Sequence, residues 1–574
     1  MTLVKKLAII LTTLLFFSAT AFSAYHHEGE ADANIFLQKY PDAAGTKLDH
    51  CALCHAGGTT EGSKPKTFGS CQWCHYKTTY GTDNGGGNLR ATINDFGLAY
   101  YNDGNGRNEA IFETIKNDDS DGDGSTNLEE INALTYPGNV NDDPSKQPAP
   151  YRVYTKAQLL VMTQHTQFML MNTSRSGDFY AKYSGVPIAN LLTDAGILQS
   201  ADSITVYAPD GWATDHPLET TTTYSLYHIN GTYPEATYYY NTEADTALNP
   251  DEGWCDYSSP STQGRSHGDI IHVENGLKAL LALNRDDAPL ELGRLNEDNK
   301  LDGSGPFRVV VPQKAPGQPD QSSKADVTDV VWPYDNSLDH NAGFCARSAT
   351  IVKVLPLPDG MTDIDPSEAG WNYIDEEKIV IYGAIDGTDS NGNGVLDSEE
   401  KRSGQNDFDG DGTMDYLDDD TASFKHANGM DNILIWSSEG SFVKVSGLKD
   451  TDSKLSQAGK PDYKEIPYGV LDFSITGLAV GAEVQLKIVF PADVPTDAEF
   501  YKITDSGWNS IPFTRVAGTD NAISITLKDG DPKTDSDGIE NGTIVDPGAL
   551  VTNSSQGASN DSGSSSCFIS SLLN

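Results

Sequence analysis

Two short runs hold the residues best suited to chemistry: Cys51-Ala52-Leu53-Cys54-His55 and Cys71-Gln72-Trp73-Cys74-His75. C-x-x-C-H is the attachment pattern of c-type haem. Its spacing lets two thioethers hold one macrocycle while the adjacent histidine turns beneath it to ligate iron. Zinc is the competing chemistry, because the gap between the pairs falls inside the window for paired C-x-x-C ligands. A histidine directly after both pairs, in a chain that opens on an export signal, decides for two covalently bound haems. Cys51, Cys54, Cys71 and Cys74 are the expected attachment thiols, and His55 and His75 the proximal ligands. No methionine lies between Met1 and Met162, so the distal candidates are His26, His27 and His50. Bis-histidine coordination would give a low potential, since methionine raises it. His50 abuts Cys51 and would have to serve the other haem.

A second group of residues has the spacing of cation ligands. Asp119, Asp121 and Asp123 supply oxygens at the first three positions of an EF-hand loop, and Gly124 allows its sharp turn. Ser125 would offer its carbonyl, Asn127 would act directly or through water, and Glu130 would close the site with both oxygens. Ile111–Ile115 and Leu128–Leu134 read as short flanking helices. A second match runs through Asp389, Asn391, Asn393, Gly394, Asp397 and Glu400. A third runs through Asp407, Asp409, Asp411, Gly412, Asp415 and Asp418, and is similar to the short calcium loops of thrombospondin type 3 modules. Carboxylates this close repel one another without a cation, so calcium is expected to couple to local folding. Asp529, Asp531, Asp535 and Asp537 form a looser cluster without the full loop spacing.

The elements that must position these groups are bounded by composition. At 574 residues the chain is long enough for three or four domains. Hydrophobic residues make up 37%, enough for several cores. The formal net charge of -44, from 83 acidic against 39 basic residues, excludes simple electrostatic binding of nucleic acid or an anionic membrane. It suits divalent cations. Glycine at 54 and proline at 28 indicate many turns and much β-structure. Lys5 and Lys6 precede the apolar run Leu7–Phe17, and Ala21-Phe22-Ser23 offers a cleavage site, the layout of a secretory signal peptide. No other stretch is apolar and long enough to span a bilayer. The expected fold class is multidomain, α+β and β. Residues 1–23 are the signal peptide and 24–143 a small, mainly α diheme region with the EF-hand loop. An α+β domain follows over 151–385, calcium-binding loops over 386–421, a β-sandwich over 422–550, and a flexible tail over 551–574.

In the middle domain, Ser203–Ala208 and Phe307–Pro312 read as strands, and Ala189–Ala195 and Leu277–Leu283 as short helices. Three runs carry a resemblance: Tyr183-Ser184-Gly185-Val186-Pro187-Ile188-Ala189-Asn190-Leu191-Leu192, Ala208-Pro209-Asp210-Gly211-Trp212, and Gly305-Pro306-Phe307-Arg308-Val309-Val310-Val311-Pro312. Together they resemble the molybdopterin-binding domain of the sulfite oxidase family and imply its fold. That family ligates molybdenum through a cysteine shortly before the first of these runs, where residues 164–182 contain none. Molybdopterin is therefore not expected. Cys255 and Cys345, the domain's two cysteines, read as a disulfide in an exported chain, with free thiols or a metal site as alternatives. From the haem pair through the EF-hand to about Pro358, the chain also resembles bacterial diheme cytochromes with a G-E-G-P motif. Here the motif stands as Gly303-Ser304-Gly305-Pro306, with serine in place of glutamate. None of His165, His216, His228, His267, His272 and His340 is singled out as a ligand.

From about Phe424 the runs Asn432–Trp436, Leu471–Ile475, Val484–Phe490 and Ala522–Leu527 alternate apolar and polar residues between turns, the signature of a β-sandwich. The stretch Asp529-Gly530-Asp531 to Asp546-Pro547-Gly548 resembles the end of the choice-of-anchor β-domains of bacterial surface proteins. A Ser/Gly/Asn linker and Cys567-Phe568-Ile569 follow, which leaves open a sorting signal or a plain tail. The leading expectation is an exported diheme cytochrome carrying single electrons in the periplasm or at the surface of a Gram-negative-type cell. Its partners would be redox proteins or an extracellular acceptor. The alternatives are an oxidoreductase whose middle domain binds a substrate or molybdopterin and uses the haems as its electron outlet, and a calcium-dependent surface adhesion protein.

Overall fold

The computed structural model describes residues 31–43, 48, 53–54, 93–102, 108–140, 142, 144–173, 178–209, 212–219, 227–233, 236–239, 241–243, 255–294, 301–312, 319, 341–362, 364, 371–401, 407–452, 454–462, 464–504 and 506–553. It divides into two compact units, 1–388 and 389–574. The protein is a β-rich multidomain chain.

The described part of the N-terminal region is built from the helices Ala31–Lys39, Asp95–Asn102, Glu109–Ile115 and Asn127–Ala133. Their buried faces meet around aromatic rings. Phe112 stacks on Tyr100 at 4.7 Å and meets Phe36 edge-on at 5.4 Å. Leu53 and Cys54 pack into the same cluster. Both helices expected beside the first acidic loop are present. Asn108 caps one, and a Thr126/Glu129 capping box starts the other.

The rest of the first unit holds two larger sheets. In one, Ala288–Pro289, Leu280–Arg285, Asp178–Pro187 and His165–Met171 lie side by side, and Arg308–Val310 also pairs with Leu280–Arg285. In the other the order is Tyr151–Thr155, Lys378–Gly383, Ile351–Leu355, Ser203–Tyr207 and Ala213–Pro217. Their apolar residues, among them Tyr183, Val186, Val206, Leu281, Phe307 and Ile381, share one core. The stretch Leu277–Leu283, expected as a helix, instead enters the strand Leu280–Arg285. Leu280, Leu281, Ala282 and Leu283 are all buried, and a short apolar run covered on both faces has no period that separates strand from helix. Ile188–Asp194 is helical.

In the second unit the acidic loops lead straight into β-structure and belong to the same body. One antiparallel sheet has the order Thr421–Lys425, Asn432–Ser437, Glu483–Val489, Ala522–Lys528, Thr514–Arg515. The other has the order Ser441–Leu448, Val470–Thr476, Ile544–Asn553, Glu499–Thr504, Gly507–Ile511. Alternate residues point inward, so Phe424, Ile435, Leu486 and Ile525 from the first meet Phe442, Phe473, Phe500 and Leu550 from the second in one core. Among the described residues no helix is long and apolar enough to cross a membrane.

Candidate functional site

Of the residues expected to attach or ligate haem, Cys54 alone is among those described; Cys51, His55, Cys71, Cys74 and His75 lie outside them, as do the distal candidates His26, His27 and His50. Asn94 fixes the backbone at Cys54. Its N–H donates to the Cys54 carbonyl at 2.9 Å, and its Nδ2 donates to the Leu53 carbonyl at 3.1 Å. Its Oδ1 accepts from the Gly97 N–H at 2.8 Å, which starts the helix Asp95–Asn102. Gly97 faces the same carbonyl so closely that a Cβ there would collide with it. A half-exposed thiol on a backbone pinned to a rigid helix start, beside an aromatic core, fits a covalently held macrocycle. Asn94 and Gly97 carry no sequence signal that links them to Cys54, because the contact spans some forty residues.

The loop 119–130 is folded as the spacing predicts. Asp119 accepts from the N–H groups of Gly122 at 2.7 Å and Gly124 at 3.0 Å. Asp121 accepts from Asp123 N–H, and Asp123 from Ser125 N–H. Gly124 has φ +105°, which L side chains rarely adopt. One oxygen from each of Asp119, Asp121 and Asp123 lies within 4.8 Å of the others. Beneath them Glu130 is wholly buried, and neither of its carboxylate oxygens has a hydrogen-bond partner. Asp121 Oδ2, Asp123 Oδ2 and Asn127 Oδ1 are likewise buried without donors, while Asn127 Nδ2 donates to the Ile115 carbonyl at 2.7 Å. Burial, then the charges of Asp121, Asp123 and Asp119, push the Glu130 carboxyl up to about 9. Five buried oxygens with no donor fit a hard, oxygen-seeking cation such as calcium.

The other two loops differ from the first. In 389–400, Asp389 again accepts from two glycine N–H groups, those of Gly392 and Gly394. Here, however, Glu400 takes hydrogen bonds from Asn393 Nδ2 at 2.9 Å and Ser423 N–H at 3.2 Å, with Asn391 Nδ2 at 3.4 Å. Asp397 is held by both the N–H and the hydroxyl of Ser390. The centre of that loop is filled by amide donors. In 407–418, oxygens of Asp407, Asp409 and Asp411 gather within 4.8 Å, and a second group joins Asp409 and Asp418 to Asp420, which the loop pattern does not include. Asp415 accepts from Phe408 N–H at 2.7 Å and leaves its other oxygen buried without a donor. Burial above all lifts Asp415 and Asp420 to about 6.

The looser C-terminal carboxylates are structural where buried. Asp529 accepts from the N–H groups of Gly481, Gly542 and Asn541. Burial opposes its ionisation, yet these backbone donors hold it below the ordinary aspartate range. Asp535 accepts from Gly530 and Val545 N–H groups. Asp529, Asp531, Asp535 and Asp537 do not converge on one point among the described residues.

A cleft of about 730 Å³ opens in the middle domain. Its lining includes Trp212, Arg285, Gly303, Ser304, Arg308, Cys345 and Arg347. Arg347 is bound to the carbonyls of Leu301 and Gly303. Arg308 is only 8% exposed, its Nε is buried without a hydrogen-bond partner, and no carboxylate among the described residues pairs with it. The Tyr183 ring lies under its guanidinium at 5.7 Å. Cys345 sits at the edge of the core, its thiol donating to the Asn341 carbonyl at 3.2 Å and accepting from Val311 N–H. The expected disulfide is absent. Cys255 packs instead in a separate cluster with Phe168, Tyr180, Tyr239 and Tyr257, so the two thiols belong to different layers of the domain. No protein-family model matches the chain, and no curated protein is detectably similar to it in sequence.

Proposed function

We propose that the chain is an exported carrier of single electrons with two covalently attached haems, and that calcium stiffens the loops of its accessory domains. The observation that carries this reading is the pair of C-x-x-C-H runs, Cys51–His55 and Cys71–His75. When bound, haem supplies reversible one-electron exchange at iron, and the chain's part is to hold and tune it. Cys51, Cys54, Cys71 and Cys74 would hold the macrocycles and His55 and His75 the irons. Asn94 and Gly97 keep the Cys54 backbone in place for attachment, and the aromatic cluster around Phe112 excludes water on that side. The loop 119–130, with Glu130 as its closing ligand, is the strongest calcium candidate.

The test is direct. The full chain, produced in a host with a c-type maturation system, should stain for covalent haem after denaturation and give two irons per polypeptide. Zinc in place of iron, or haem lost on denaturation, would overturn the reading.

Arg308 favours a second reading, in which the middle domain binds an anionic substrate and the haems are its electron outlet. A buried guanidinium without a counter-charge is costly, and an anion in the cleft would relieve that cost. Metal analysis separates the two readings. Iron without molybdenum fits the carrier, whereas stoichiometric molybdenum would make the middle domain a redox centre.

A further inference from the structure

Lys502 lies on the strand Glu499–Thr504 and Asp546 on its antiparallel neighbour Ile544–Asn553. Lys502 pairs with Gly548, so Asp546, two residues away, is its diagonal neighbour on the same face. That face is the inner one. Asp546 pairs with Phe473 and Ile544 with Ile475, while Phe500 pairs with Leu550, all of them core residues. The side chains of Lys502 and Asp546 are 0% and 1% exposed and touch one another. Neither oxygen of Asp546 accepts a hydrogen bond of ordinary geometry, and the amine also makes a long contact with the Val545 carbonyl at 3.5 Å. A buried ion pair persists only when its spare donors and acceptors are satisfied; this pair lacks that support.

We propose that Lys502 and Asp546 are covalently joined by an amide bond between the lysine Nζ and the aspartate side-chain carbonyl carbon. The contact already places the amine against the carboxyl, which converts a bimolecular condensation into an intramolecular one. Gly548 makes the room. A Cβ there, directly across from Lys502, would lie 2.9 Å from the Phe500 ring and 3.1 Å from Asp546 Oδ1. Burial pushes the lysine amine down and the Asp546 carboxyl up, and the nearby charge of Asp535 raises Asp546 further. Both shifts favour the neutral amine and the neutral acid, which are the reactants of condensation.

The step balances without a co-reactant. The Nζ lone pair attacks the Asp546 carboxyl carbon, the N–C bond forms, and one C–O bond breaks. The hydroxyl leaves with a proton from the amine as water. Nothing is oxidised or reduced. The dry core then keeps water from reversing the reaction.

The test is peptide mapping of the purified full chain after denaturation and digestion. The peptide containing Lys502 should be found joined to the peptide containing Asp546, lighter than their sum by one water, in most of the material. Asp546→Asn should give the same joined product, by loss of ammonia in place of water, and Asp546→Ala should give linear peptides only. If the wild-type chain instead yields linear peptides, with the Lys502 amine open to an amine-reactive label after unfolding, the proposal falls. The wild-type map decides this even where a variant fails to fold.

Discussion

Glu130 is a carboxylate with no place for its charge unless a cation is beside it. Because its carboxyl is pushed from 4.5 up to about 9, the cation-free loop is most stable below about pH 4.5 and loses stability as the pH rises towards 9. Calcium takes the place of the proton. At neutral pH, calcium binding should therefore release protons, and the calorimetric enthalpy should change with the ionisation enthalpy of the buffer. A buffer-independent enthalpy would remove Glu130 from the ligand set. Glu130→Gln should weaken the site by about tenfold or more, equivalent to about 1.4 kcal/mol. The gathering of Asp119, Asp121 and Asp123 was legible in the sequence because they sit within one turn-rich segment, where spacing largely determines geometry. Asp420, Asn94 and Lys502 were not, because each acquires its role from a partner in another element or loop. The disulfide expected for Cys255 and Cys345 failed for a related reason. Cysteine number and export argue for pairing, but they carry no information about which cluster each thiol packs in.

At the scale of elements, the start of the helix Asp95–Asn102 is the seat of Cys54, and Gly97 leaves no room for a side chain against the Cys54 carbonyl. Gly97→Ala should force the two apart at a cost of about 1–3 kcal/mol, and should lower covalent haem per chain more than it lowers the yield of folded protein. Equal losses would mean that the contact serves stability alone. The three acidic loops look alike in sequence and differ in what fills their centres. Chelation should raise hydrogen exchange across 119–130 and 407–418 and leave 389–400 protected, since Asn391, Asn393 and Ser423 already serve Glu400. Uniform deprotection of all three would show that the middle loop depends on the ion as well. In the second unit Val470–Thr476, Glu483–Val489 and Ala522–Lys528 were readable from alternation because their buried positions alternate with more open ones. The run at Leu280 was not, because a strand covered on both sides has no alternation to read.

For the whole molecule, the two units should respond differently to heat. A crosslink between Lys502 and Asp546 closes a long loop in the unfolded chain, which by analogy with disulfides of that span is worth about 4 kcal/mol. The second unit should then melt last, and Lys502→Ala should remove much of its lead in a scanning calorimeter. A variant that melts with the wild type would show that the buried pair contributes no more than packing. The position of the pair also matters for load. Ile544–Asn553 is the last described strand before the Ser/Gly/Asn stretch at the C-terminus. Tension entering along that strand would pass at Asp546 into Lys502 through a chemical bond. The stretch 503–545 would be bypassed, with the amide-held carboxylates Asp529 and Asp535, so that a pull able to strip hydrogen bonds from a strand would leave this part of the fold slack and intact.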